Sequence, residues 1–76
     1  MLRMPRVTAR EAERAVMRDG WLSVGGGKGR HRQYHQPTKA GRVTIAHHIG
    51  QIVTPKTLAT MLRQAGLTVE QLSELL

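Results

Sequence analysis

Side chains suited to acid–base chemistry are concentrated in the middle of the chain, between positions 28 and 48. All four histidines and the single tyrosine lie in this stretch, and its charged side chains are all positive. A histidine with a pKa of about 6.5 accepts or donates a proton near neutral pH, while cations beside it stabilise negative charge. The composition therefore predicts a site that contacts a polyanion and can transfer a proton on it.

The same histidines are poorly placed to hold a metal ion. On a strand, His31 and His35 would lie roughly 13 Å apart, which is too far for them to share one zinc ion. The chain has no cysteine, which excludes thiolate zinc sites and disulfides. It also has no carboxylate side chain between Asp19 and Glu70, which argues against carboxylate-held magnesium, a two-metal nuclease and a paired-carboxylate glycosidase. We therefore expect no metal and no cofactor.

Charge is distributed unevenly along the sequence. Twelve Lys and Arg residues against five Asp and Glu residues give a net charge of +7, which predicts a polyanionic partner. Both ends of the chain contain charges of either sign, whereas the central cations have no acidic neighbours: Lys28, Arg30, Arg32, Lys39 and Arg42. No apolar run approaches the roughly 20 residues that cross a bilayer, and the arginine-rich start has no secretory core. We therefore expect a cytoplasmic protein with no membrane contact.

Local signals place a helix near the start of the chain. Thr8 and Glu11 have the spacing of a capping box, and small apolar residues recur at helical steps after them. Gly20 supplies a C-terminal stop, so the predicted helix ends near Asp19. Trp21, the only tryptophan, is expected to anchor this helix against a sheet.

Three strands are predicted to follow the helix, over residues 22–24, 30–35 and 42–47. Four glycines over residues 25–29 separate the first two strands, either as a functional loop or as a simple connection. A turn over residues 37–41 separates the second strand from the third. The pattern predicts an antiparallel meander.

Two further helices are predicted in the last third of the chain. Thr54 followed by Pro55 is a helix start, Gly66 ends that helix, and Thr68 begins a second capping box before a short final helix. The predicted order is α-β-β-β-α with a terminal turn of helix, in a single domain over residues 1–76. One sheet and two main helices predict an α+β fold: the helices cover one face of a three-stranded antiparallel sheet, and the other face is left to water or a ligand.

Four motifs taken together resemble those of a known family. They are Lys28-Gly29-x-His31 followed by Tyr34, then Arg42-Val-Thr-Ile-Ala-x-His48-x-Gly50, then Pro55-x-Thr57-Leu58, and finally Arg63-Gln-Ala-Gly-Leu-Thr68. Their order across nearly the whole chain looks like that of the HicA-type toxins of bacterial toxin-antitoxin operons. The resemblance implies a fold like that of double-stranded-RNA-binding domains, endonucleolytic cleavage of mRNA, and neutralisation by a HicB-type antitoxin.

The resemblance also implies roles for individual residues. The family's catalytic histidine corresponds to His31, and a second family histidine corresponds to His48. The chain departs from the family pattern at Arg30, where serine is usual, and at Ala46, which replaces a frequent proline. It also departs at Arg32 and Gln33, where histidine or an aliphatic residue is common. None of these departures removes the catalytic histidine.

A metal-independent mechanism is consistent with these residues. RNA supplies its own nucleophile, the 2′-hydroxyl beside the scissile phosphate, so a general base and positive charge are sufficient to cut it. We expect His31 to act as the acid–base residue. The residues expected to bind RNA are Lys28, Gly29, Arg30, Arg32, Lys39, Arg42 and His48.

Two other functions are open from the sequence. The same fold and basic surface could bind duplex RNA without chemistry, in which case His31 would only contact the ligand. A basic protein-interaction or DNA-binding domain is the second, although the sequence has no helix-turn-helix recognition motif. For the toxin we expect two partners, mRNA and the cognate antitoxin, and a monomeric free chain.

Overall fold

The computed structural model describes residues 4–24, 31–46 and 51–76, and within these ranges it contains three helices and one antiparallel sheet. The helices are α1 (Ala9–Arg18), α2 (Pro55–Ala65) and α3 (Val69–Leu75), and the strands are β1 (Leu22–Ser23), β2 (His31–Gln36) and β3 (Lys39–Ala46). The strands pair in the order β1-β2-β3, so each strand lies beside its neighbour in sequence. The predicted α+β order is confirmed, with α3 as the short final helix.

Each helix begins at a threonine whose hydroxyl accepts a backbone hydrogen bond. Thr8 and Glu11 form a complete capping box, because each side chain accepts from the backbone N–H of the other residue, at 3.1 Å and 2.9 Å. Thr54 caps α2 in front of Pro55, and Thr68 forms the second capping box at the start of α3. These residues are close in sequence, so their pairing was predictable from spacing alone.

The turn between β2 and β3 is shorter than the sequence predicts. β2 extends to Gln36, which pairs with Lys39 at the start of β3, so the predicted turn over residues 37–41 was too long. Gly41 lies inside β3, near an irregularity in the pairing between Tyr34 and Gln36. Its φ of 85° is a conformation that glycine adopts readily. Glycine at this position therefore allows β3 to pass through the irregularity.

One other strand end differs slightly from the prediction, and two are not tested. β1 ends at Ser23, although the Val24 N–H still donates to the Gln33 carbonyl at 3.0 Å. Arg30 and His47, the predicted ends of the second and third strands, lie outside the described residues.

The two faces of the sheet have different surroundings. Tyr34, Val43 and Ile45 are buried against the helices, and they alternate along their strands with residues that are exposed or half-buried: Gln33, His35, Arg42 and Thr44. The helices therefore cover one face, as predicted. We call the opposite face, formed by the alternating residues, the open face.

The core forms one cluster of buried apolar side chains, with contributions from α1, β2, β3, α2 and α3. Trp21 is fully buried directly after α1, and its indole N–H donates to Asp19 Oδ2 at 3.2 Å. The segment before α1 also joins the core, since Val7 is buried and its carbonyl accepts from the Val53 N–H at 2.8 Å. The segments that precede and follow the sheet in the sequence are thereby held to the same core.

We expect Leu62→Ala to lower the free energy of unfolding by about 2 to 5 kcal/mol, because Leu62 is almost fully buried and truncation leaves a cavity. The neighbouring exposed residue provides a control, and Arg63→Ala should change stability by no more than about 0.5 kcal/mol. Urea unfolding of both variants measures the difference. Equal losses in the two variants would contradict the assignment of Leu62 to the core.

Candidate functional site

His31 is the first residue of β2 and pairs with Ala46 at the end of β3. Among the described residues this is the outermost pair of the β2–β3 ladder, and the segments that precede His31 and follow Ala46 in the sequence lie outside them. The side chain of His31 lies outside the described part of the chain, as do four other predicted site residues: Lys28, Gly29, Arg30 and His48. The structure therefore places the backbone of His31 at this end of the described sheet, and the role expected for His48 stays a prediction.

Arg32 and Tyr34 connect β2 to α1 through a single carboxylate. Arg32 Nη1 lies 3.4 Å from Glu13 Oε2, and the Tyr34 hydroxyl donates to the same oxygen at 2.5 Å. The Arg32 side chain is 54% exposed, whereas the Glu13 side chain is 17% exposed. The contact fixes β2 on the helix immediately beside His31, while one side of the Arg32 guanidinium still faces solvent.

The Tyr34 hydroxyl acts as a permanent donor in this contact. Burial of the ring, followed by the hydrogen bond to Glu13 and its negative charge, raises the pKa of Tyr34 above its usual range, and Arg32 offsets this only in part. Tyr34 therefore stays protonated at physiological pH. Our sequence interpretation missed Glu13, because nothing in the local sequence signals a contact with a residue 21 positions away.

Lys39 makes its contacts inside the fold. Its ammonium donates to Asp19 Oδ2 at 2.8 Å and to the Ala65 carbonyl at 3.1 Å, which joins the C-terminal ends of α1 and α2. A lysine ammonium has three protons, so one is left for an external phosphate. Asp19 also accepts from the Trp21 indole, so the same carboxylate holds the turn into β1.

Arg42 is the cation on the part of the open face that the structure describes. It is exposed, and its Nη1 donates to Gln33 Oε1 at 2.9 Å across the two strands. At the other edge of this face, Leu22 and Val24 are 60% and 53% exposed. Leu22 pairs with His35, so these apolar side chains share a face with the polar ones. The open face therefore combines a hydrogen-bonded guanidinium with exposed apolar side chains at one edge.

The predicted RNA-binding residues whose side chains are described do not form one cluster. Arg32 faces α1, Lys39 lies at the ends of α1 and α2, and Arg42 lies on the open face. Alternation along the strands separates Arg32 from Arg42, and the length of the hairpin separates Arg32 from Lys39. If all three bind RNA, they contact different parts of it.

Residues 4–24, 31–46 and 51–76 contain no group of three or more histidine, cysteine or acidic residues that could hold a metal ion. None of the helices in these ranges is long and apolar enough to cross a membrane.

Comparison with models of protein families gives a match over most of the chain. A family model described as the HicA toxin of bacterial toxin-antitoxin systems matches residues 9–67. A search of curated proteins finds no match. The matched range begins with α1, ends after α2 and includes every predicted site residue.

We expect Lys39→Met to lower the free energy of unfolding by about 1 to 2 kcal/mol, because it removes a half-buried charged contact and leaves Asp19 without its cation. Arg42→Met serves as the control, since Arg42 is exposed and contacts one side chain on the surface. Its effect should stay within about 0.5 kcal/mol. Urea unfolding distinguishes the two variants, and equal stability would show that the Lys39 contacts do not support the fold.

Proposed function

The chain belongs to the HicA family of toxins from bacterial toxin-antitoxin systems, and from this membership we propose that it is a metal-independent endoribonuclease with His31 as its catalytic residue. The observation that carries the proposal is the family match over residues 9–67, because this range includes His31 together with the basic segment around it. The substrate is mRNA, and the inhibitor is a HicB-type antitoxin.

His31 serves as the acid–base residue in this mechanism. Its imidazole takes the proton from the 2′-hydroxyl, whose oxygen attacks the adjacent phosphorus and displaces the 5′-oxygen of the next nucleotide. The imidazolium then returns a proton to that leaving oxygen. The products are a 2′,3′-cyclic phosphate and a 5′-hydroxyl. The cleavage step requires neither water nor a metal ion.

Cations beside His31 stabilise the negative charge of the phosphorane. Lys28 and Arg30 precede His31 in the chain, with the backbone amide of Gly29 between them, and Arg32 follows it. Arg32 faces α1, where Glu13 contacts its Nη1, and several of its five N–H donors stay available for a phosphate on that side of β2. An oriented guanidinium loses less conformational entropy when it binds a phosphate.

More distant residues bind the rest of the RNA. Arg42 offers an exposed guanidinium on the open face, oriented by Gln33, and Lys39 retains one ammonium proton at the far end of the hairpin. His48 lies two residues after β3 in the sequence, and we assign it to RNA binding as the second family histidine. These residues position the RNA and take no part in proton transfer in our proposal.

The antitoxin covers the open face in this proposal. A protein partner that approaches this face would bury the exposed side chains of Leu22 and Val24 and would meet the positive charge of Arg42. An acidic surface on the antitoxin would therefore associate rapidly with it. The free toxin is a monomer and acts in the cytoplasm.

Purified protein should cleave RNA in the presence of EDTA, because the sequence between Asp19 and Glu70 has no carboxylate to position a divalent ion. Cleavage should stop when the nucleotide at the cut site carries 2′-deoxyribose, since the nucleophile is then missing. Gel analysis of the two RNAs tests both points. Activity that depends on added magnesium, or cleavage of the deoxy-substituted bond, would refute this chemistry.

His31→Ala should reduce the rate of RNA cleavage by about 100-fold or more, because it removes the acid–base group. His35→Ala is a matched control, since His35 lies on the same strand, is exposed and corresponds to no family histidine. It should cleave at nearly the parent rate. Single-turnover assays measure both rates, and thermal melts check that each variant is folded.

The same pair of variants separates the enzyme from a non-catalytic RNA-binding module. The enzyme predicts that His31→Ala still binds RNA but no longer cuts it. If a folded His31→Ala variant cleaves at the parent rate, His31 is not the catalytic residue. If the parent protein binds RNA and never cleaves it, the binding module is the correct function.

A further inference from the structure

The acidic side chains of α1, and that of Asp19 at its C-terminal end, all make contacts within the fold. Glu11 accepts from the backbone N–H of Thr8, Glu13 accepts from Tyr34 and Arg32, and Asp19 is paired with Lys39. These contacts neutralise or orient the negative charges on this part of the chain. Glu11 is exposed and lines a surface pocket with Arg14 and Arg18, so its charge offsets theirs in part. The three arginines of α1 still outnumber its two acidic side chains, which leaves an excess of positive charge on the helix.

Two of these arginines, Arg10 and Arg14, are exposed and form no ion pair within the part of the chain that the structure describes. They lie four residues apart, about 6 Å along the helix axis, on the side of α1 that faces away from its buried alanines. A third arginine, Arg18, continues the row, but its Nη1 donates to the Leu75 carbonyl at 2.6 Å. Arg18 thus holds α3, while Arg10 and Arg14 have no such role.

The pair lies close to the proposed catalytic strand. Arg10 and Glu13 are three residues apart and are therefore neighbours on the helix surface. The Glu13 carboxylate contacts Arg32, which directly follows His31 in β2. A strand of RNA with its scissile phosphate at His31 can thus continue past Arg32 onto the outer surface of α1.

We propose that Arg10 and Arg14 form a second phosphate-binding site, which holds the backbone of the RNA substrate next to the cleavage site. The proposal rests on the proposed ribonuclease function and extends it to a surface that our sequence interpretation did not assign. Arginine guanidinium groups bind phosphate oxygens in bidentate fashion, and contacts to the backbone are independent of base sequence.

The test compares two variants that each remove two positive charges from an exposed helix surface. Arg10→Gln/Arg14→Gln changes the proposed site, and Lys56→Gln/Arg63→Gln changes exposed residues of α2 that have no proposed role. Binding is measured by fluorescence anisotropy with a labelled 2′-O-methyl RNA, which cannot be cleaved because its 2′-hydroxyls are blocked. Cleavage of ordinary RNA is measured in parallel, and thermal melts confirm that both variants are folded.

We expect Arg10→Gln/Arg14→Gln to weaken RNA binding about tenfold at low salt. The slope of log Kd against log salt concentration should fall by about 1.4, from about 0.7 for each lost phosphate contact on single strands. KM for cleavage should rise while kcat stays within about twofold, because the acid–base group is unchanged. The α2 variant should keep its Kd within about twofold of the parent.

Three outcomes would overturn the inference, and they can be distinguished. If the parent cleaves RNA and both double variants bind it equally well, the α1 site is wrong while the ribonuclease function stands. If the parent neither binds nor cleaves RNA, the proposed function itself fails. If Arg10→Gln/Arg14→Gln retains RNA affinity but escapes neutralisation by a co-expressed antitoxin, the arginine pair is a protein interface instead.

Discussion

The Glu13 carboxylate holds β2 against α1, and the position of His31 in the fold depends on this contact. An isolated two-stranded hairpin is only marginally stable in water, so β2 needs a partner for its buried side. Tyr34 provides a fully buried ring whose hydroxyl donates to Glu13, and Arg32 meets the same oxygen one residue from His31. Because burial and the nearby carboxylate raise the pKa of Tyr34, the hydroxyl remains a donor throughout the physiological pH range. The connection therefore does not weaken through ionisation of the tyrosine.

The acidic residues near the start of the chain all make contacts within the fold, and the arginines around them outnumber them by five to three over residues 1–19. Glu11 completes a helix cap, Glu13 orients a strand, and Asp19 holds both Lys39 and the turn after α1. Glu13 and Asp19 are thus paired with cations, whereas Glu11 is exposed and accepts a backbone hydrogen bond. The excess of cations in the sequence is then available for a polyanion, because little negative charge on this surface competes with it. A small basic protein gains stability and a binding surface from the same distribution of charge.

Most of the fold was predictable from the sequence, because the signals that begin and end its elements act over a few residues. The capping boxes at Thr8 and Thr68 and the proline after Thr54 each involve contacts within one helical turn. Alternation of apolar residues likewise indicated which face of the sheet would be buried. The length of the β2–β3 turn was not predictable, because Gly41 is equally suited to a turn and to an irregular strand. Pairing between the two strands decided for the strand.

The sequence by itself determined which residue types could do chemistry, and through family resemblance it led to the proposal of His31 among four histidines. Only the tertiary structure decided which part of the surface each cation occupies and which residue it contacts. Arg32, Lys39 and Arg42 are equivalent by charge, yet the fold directs them to Glu13, to the ends of two helices and to the open face. The reason is that these contacts join residues far apart in the chain: 21 positions separate Tyr34 from Glu13, and 26 separate Lys39 from Ala65. No local spacing rule reaches across such distances, so packing alone selects the partners.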